Sequence, residues 1–183
     1  IEMPAGQNIV MKAAAGVGRN HEDFYPLFVA NHILGGSGLS SRLSQAIREK
    51  EGLTYGVYSY LVLDDKAPVI MASFSSTADK YARAEELFAE QWQNFGKNGV
   101  SAEELAQAKD YLVASYNLRF ASIASIADIL TAMQKYNLGL DFLQKRNDYV
   151  QQVTQEQVNN AARKYFNKDK LVSVSIGSFK GRD

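Results

Sequence analysis

Apolar positions along this chain change their period several times, and the changes outline its elements. Residues 7–15 alternate loosely around Ile9 and Met11 and stop before Gly16-Val17-Gly18, which predicts a first strand leaving into a loop. A polar stretch, 20–23, precedes Phe24, Leu27, Phe28 and Leu34 at helical spacing, with Pro26 in the first turn where a missing N–H does no harm, so a helix is expected over about 23–34. Gly35, Gly36 and Gly38 read as a hinge, after which Ser40 can cap a second helix over 41–50 that buries Leu39, Leu43, Ala46 and Ile47. Gly52 ends that helix, and residues 53–63 are rich in aromatic and β-branched side chains, as a strand requires. Asp64-Asp65-Lys66 then makes a polar turn into a hairpin partner over 69–74.

Beyond Thr77 the period is that of helices. Tyr81, Ala84, Phe88, Trp92 and Phe95 form one stripe ending near Gly96 or Gly99. Ser101 and Glu104 match a capping box ahead of Leu105, Ala108 and Leu112, and Thr154 and Gln157 match another ahead of Val158, Ala161 and Ala162. Between them, Ile123, Ile126, Leu130 and Met133 mark a third long helix, and 141–150 a shorter one. Residues 170–179 close the chain as a half-buried strand with Val172, Val174 and Ile176 on one face and Ser173 and Ser175 on the other. Strands first, then helices, then one last strand is not a βαβα rhythm. It predicts an α+β two-layer sandwich, a four-stranded and mostly antiparallel sheet with helices on one face.

At 183 residues the chain suits one domain that buries roughly 70% of the surface of its unfolded form. The expected divisions are a linker remnant over 1–6, a single domain over 7–179 and a tail over 180–183. The start at Ile1 rather than Met suggests a cut or processed end inside a longer polypeptide. The absence of Cys excludes disulfides, thiolate metal sites and cysteine catalysis. Twenty basic and twenty acidic side chains balance without a basic run, which argues against nucleic acid as a partner, and no apolar stretch is long enough to span a bilayer. Composition leaves the compartment open, with bacterial cytoplasm or periplasm expected.

The chemistry concentrates in LGGSGLSSRLSQAIREKEGLTYGVYSY, residues 34–60. Arg48 falls in the last turn of its helix and Tyr55 near the start of the next strand, so the intervening bend can bring guanidinium and phenol together. Such a pair suits an extended peptide: a fork of permanent donors holds a carbonyl while the phenol addresses a second oxygen. The competing structural reading makes Arg48 a helix C-cap and Tyr55 a half-buried strand aromatic. Zinc hydrolysis would need clustered ligands, and neither His21 nor His32 has a second His four positions on, so no H-x-x-E-H theme exists in either direction. No G-x-S-x-G elbow, Walker loop or dinucleotide fingerprint is present, and Asp64 and Asp65 read as a solvated hairpin tip.

The stretch GGSGLSSRLSQAIREKEGLTYGVYS resembles the C-terminal-domain signature of pitrilysin/insulinase-type zinc metallopeptidases, especially the bacterial branch similar to mitochondrial processing peptidase. In that family one domain holds zinc and a homologous second domain contributes an Arg and a Tyr seven positions apart, matched here by Arg48 and Tyr55. The resemblance, which extends over nearly the whole order of elements, implies a substrate-binding and transition-state-stabilising domain with no cofactor of its own. Zinc is expected in a homologous partner domain or subunit, with an extended peptide as substrate and no activity for this segment alone. The alternative is a non-catalytic scaffold or assembly subunit of the same family.

Overall fold

The structure, a computed structural model, describes residues 1–179; the expected tail, 180–183, lies outside the described residues. Four strands form one sheet: β1 (Asn8–Ala15), β2 (Val57–Val62), β3 (Val69–Ser76) and β4 (Val172–Ile176). Their order is β2-β3-β1-β4 and every neighbouring pair is antiparallel, with Val10 opposite both Phe74 and Ser175. The helices are α1 (Phe24–Asn31), α2 (Tyr81–Asn98), α3 (Ala102–Ala114), α4 (Ile123–Lys135), α5 (Phe142–Gln151) and α6 (Gln155–Tyr165). The two-layer α+β architecture is the one the hydrophobic pattern predicts. Both capping boxes form, Ser101 with Glu104 and Thr154 with Gln157, and so fix where α3 and α6 begin.

The core lies between the sheet and α1, α2 and α6. Trp92, Phe88 and Phe166 are fully buried, with Trp92 stacked 5.5 Å from Phe88 and edge-on to Phe166 at 4.9 Å. This close approach depends on Gly96, where an added Cβ would lie 2.2 Å from the Phe166 carbonyl oxygen. Lys12 is buried in the same layer, held by Glu85 and, at 3.1 Å, by Ser173 Oγ.

Two sequence expectations are revised. Gly35 and Gly36 are not a hinge: they continue α1 as a widened turn, His32–Gly36, packed on β2. A Cβ at Gly35 would sit 2.4 Å from Ser59 Oγ and 2.7 Å from its backbone nitrogen, so close packing accounts for that glycine. The alternation in β4 is real but its apolar side faces away from the helices. Val172 and Val174 are 67% and 53% exposed, whereas Ser173 and Ser175 meet Lys12 and Tyr81 on the helix side. With Ile9 opposite Ile176, Met11 opposite Val174, and Tyr58 exposed on β2, the outer face of the sheet is apolar and open. Residues 1–5 run beside the end of β4, with the Ile1 amino group donating to Ser175 O at 2.8 Å and Met3 N–H to Gly177 O at 3.0 Å.

Candidate functional site

The helix that carries Arg48 is short and unusually wound. Gly38, at φ +65°, turns the chain into a single 3₁₀ turn, Gly38–Ser40, and Ser41 leaves it in extended conformation. Ser41, not the expected Ser40, is the cap: its Oγ accepts from Ser44 N–H at 3.3 Å, while Ser40 Oγ donates to Ser37 O. The serines are adjacent and chemically alike, and only the backbone conformation at 41 selects between them. The helix then widens to i→i+5 bonding over Ser44–Glu49, with Lys50 N–H reaching Gln45 O at 3.2 Å. Arg42 pins its start to α3, donating to both Glu104 oxygens at 2.7 Å and to Gly99 O at 2.9 Å. That guanidinium, with the Ser101 N–H, holds the Glu104 carboxyl below its ordinary range.

Gly52, at φ +60°, closes the helix, and its N–H and that of Leu53 bond back to Arg48 O and Ile47 O. The predicted strand over 53–63 begins only at Val57, because residues 53–56 form a tight bend built around Thr54. Thr54 is 8% exposed; its Oγ1 accepts from Gly56 N–H at 3.1 Å and donates to Ser75 O at 2.6 Å. Lys80 Nζ ties the same bend to the start of α2 through Gly52 O at 2.9 Å. Tyr55 is thrust outward by this frame and is 82% exposed. The half-buried strand aromatic of the structural reading is therefore not found.

Arg48 and Tyr55 line one groove of about 410 Å³ at the end of the sheet, together with Gln7, Glu49, Ser75 and Lys80. The two side chains share no hydrogen bond. Among the described residues Arg48 has only a loose, exposed pairing, Nε to Glu49 Oε1 at 3.5 Å, of a kind worth little in water. No helix C-cap bond from its guanidinium is found among the described residues. As donors the groove offers a guanidinium, an ammonium and a phenol, beside the Glu49 carboxylate, with no histidine in its lining among the described residues.

Zinc does not fit the described residues of this chain. No group of three His, Cys, Asp or Glu side chains capable of holding a metal occurs among the described residues. His32 is buried against the Tyr111 ring at 5.2 Å, and burial lowers its pKa to about 4. His21 Nδ1 already accepts from Asp23 N–H. Asp64 accepts from Lys66 and Ala67 N–H at the hairpin tip, bonds that lower its pKa and account for that carboxylate.

Two residues that build the site were not singled out from sequence, Arg42 and Thr54. A Thr three positions before strand entry and followed by Tyr-Gly is a signal for a side-chain-closed turn. No local signal announces the pairing of Arg42 with Glu104, which are 62 positions apart.

Comparison with known proteins agrees with this architecture. The sequence profile of the family described as "Peptidase M16 inactive domain" matches residues 1–112. The chain is 30% identical over 162 residues to "Uncharacterized zinc protease YmxG" of Bacillus subtilis, covering 87% of the chain and 39% of that protein. It is also 30% identical over 152 residues to "Uncharacterized zinc protease Rv2782c" of Mycobacterium tuberculosis, covering 80% of the chain and 33% of the relative. It thus spans well under half of these relatives' length. Among solved structures, a peptidase M16 inactive domain from Pseudomonas fluorescens superposes with a TM-score of 0.90 at 36% identity, over 100% of this chain and 43% of that one. A Helicobacter pylori protease, at 17% identity and a TM-score of 0.83 over 96% of this chain and 43% of its own, shares the fold. On these grounds the chain belongs to the peptidase M16 family of zinc proteases, as its inactive, C-terminal peptidase-like domain.

Proposed function

We propose that this domain binds an extended peptide and stabilises the transition state of its hydrolysis, working against a zinc-binding homologous domain or subunit that supplies the metal. The observation that carries the reading is Tyr55, 82% exposed on a bend locked by Thr54 and opening into the groove that Arg48 also lines. A large aromatic side chain held in water by buried hydrogen bonds beneath it is pre-positioned at little entropic cost to binding. Arg48, with no committed partner, donates to a backbone carbonyl of the peptide. The Tyr55 phenol donates to the oxygen that becomes negative as the scissile carbonyl turns tetrahedral. Zinc on the partner would supply the activated water.

The apolar outer face of the sheet supports the same reading, since Ile9, Met11, Val172 and Val174 are a large exposed patch for a domain that acts alone. A partner lobe seated against it would remove that surface from water.

The test is Tyr55→Phe in the polypeptide or complex that contains the zinc domain. Turnover of a peptide substrate should fall roughly a hundredfold to a thousandfold, or about 2.7 to 4 kcal/mol, with the fold unchanged. Undiminished turnover would remove Tyr55 from the mechanism and favour the scaffold alternative. The 183-residue chain on its own should bind no stoichiometric zinc and cleave no peptide.

A further inference from the structure

A second concavity, sharing no lining residue with the Arg48 groove, is lined by α1, the edge strand β2, α4 and α5 and has a volume of about 450 Å³. Its walls are mostly rings and aliphatic side chains, among them Phe24, Phe28, Tyr60, Ile129 and Phe142. Three arginines line it, Arg19, Arg119 and Arg146, and among the described residues no Asp or Glu does. Arg146 is 8% exposed and spends only Nη1 on protein acceptors, Leu112 O at 2.7 Å and Asn147 Oδ1 at 2.9 Å. The rest of its guanidinium lies over the Tyr116 ring at 4.5 Å. Arg19 stacks on Phe24 at 4.1 Å and donates to Tyr25 OH at 2.9 Å. The charged and titratable groups acting on Arg146 are the other two arginines and the phenols of Tyr116 and Tyr25.

Buried guanidinium groups without a carboxylate are costly, and like charges gathered together raise the cost. Stacking on aromatic rings offsets part of it. Among the residues that line it, Tyr116, Asn31 and Ser59 each carry a buried side-chain oxygen with no hydrogen-bond partner among the described residues. The two features together describe one ligand chemistry, an anionic head on an apolar body, in a volume of the size that small-molecule sites have.

We propose that this cavity binds a small amphipathic carboxylate, its head held by Arg146 and Arg119 and its apolar part lodged among the rings of α1, β2 and α5. The site is separate from the Arg48 groove and does not depend on the reading of Tyr55.

Calorimetric titration of the chain with decanoate, decan-1-ol and decyltrimethylammonium tests it. Decanoate should bind once per chain and at least about tenfold more tightly than the alcohol, the difference one charge-assisted hydrogen bond makes, while the cation should not bind. Ala132→Trp, a substitution on α4 that leaves every arginine in the sequence, fills the cavity and should abolish binding. Arg119→Ala, at an exposed position, should weaken decanoate by about tenfold and leave the alcohol unchanged, and it serves if the tryptophan variant fails to fold. No saturable binding of decanoate, equal affinity for the alcohol, or decanoate affinity untouched by Arg119→Ala would overturn the proposal.

Discussion

Arg42 and Arg48 stand six positions apart in the same short helix and are used in opposite ways. Arg42 is spent on the fold: its Nε and Nη2 meet the two Glu104 oxygens, a third bond reaches Gly99 O, and its Cζ lies 5.0 Å from the Phe95 ring centroid. Among the described residues Arg48 meets only the neighbouring Glu49, loosely and in water. The same division holds for Thr54 and Tyr55, one buried and doubly bonded, the other exposed. The difference teaches that the site is a rigid frame holding two side chains which the frame itself does not need.

That contrast can be broken by substitution. The largest expected loss of stability is at Arg42→Ala, about 2 to 3 kcal/mol by chemical denaturation, because Glu104 and Gly99 O lose charge-assisted partners together. Thr54→Val should cost about 2 kcal/mol, leaving Ser75 O and Gly56 N–H unpaired, and should lower turnover as well because the bend beneath Tyr55 loosens. Glu104→Gln should cost less and should flatten the acid limb of the stability curve. The wild-type carboxyl is held below its ordinary value of 4.5, so its contribution is full above that value and is lost as pH falls through the lower folded one. Arg48→Ala should leave stability within about 0.5 kcal/mol. Its effect should appear instead as a KM raised roughly tenfold to a hundredfold in the zinc-containing protein. A stability loss at Arg48 equal to that at Arg42 would erase the distinction.

The layers, the β2–β3 hairpin and most helix ends were legible because each rests on a local rule: period two, period 3.6, or a capping box. The residues that misled are those whose role is fixed by what lies across the fold. Val172, Val174 and Ile176 alternate as a core-facing set does, and alternation says that one face is apolar without saying which way it points. Gly35 reads as freedom and is in fact contact, since only the position of Ser59 on β2 shows why no Cβ fits. Arg48 and Tyr55 stood out through their seven-residue spacing and the resemblance it carried, and the structure places both on one groove. Arg19, Arg119 and Arg146 could not stand out, because α1, α4 and α5 have to pack before three dispersed arginines share a cavity.

The claim on which the functional account turns is that the Tyr55 phenol is reserved for the tetrahedral oxygen and not for the bound peptide. It is tested most directly by the affinity of the zinc-containing protein, with Tyr55 and with Tyr55→Phe, for a phosphinate peptide that mimics the tetrahedral state and for an uncleaved peptide of the same sequence. The account predicts that the substitution weakens the phosphinate by roughly a hundredfold or more and barely moves the peptide. Equal weakening of both, or of neither, would contradict it.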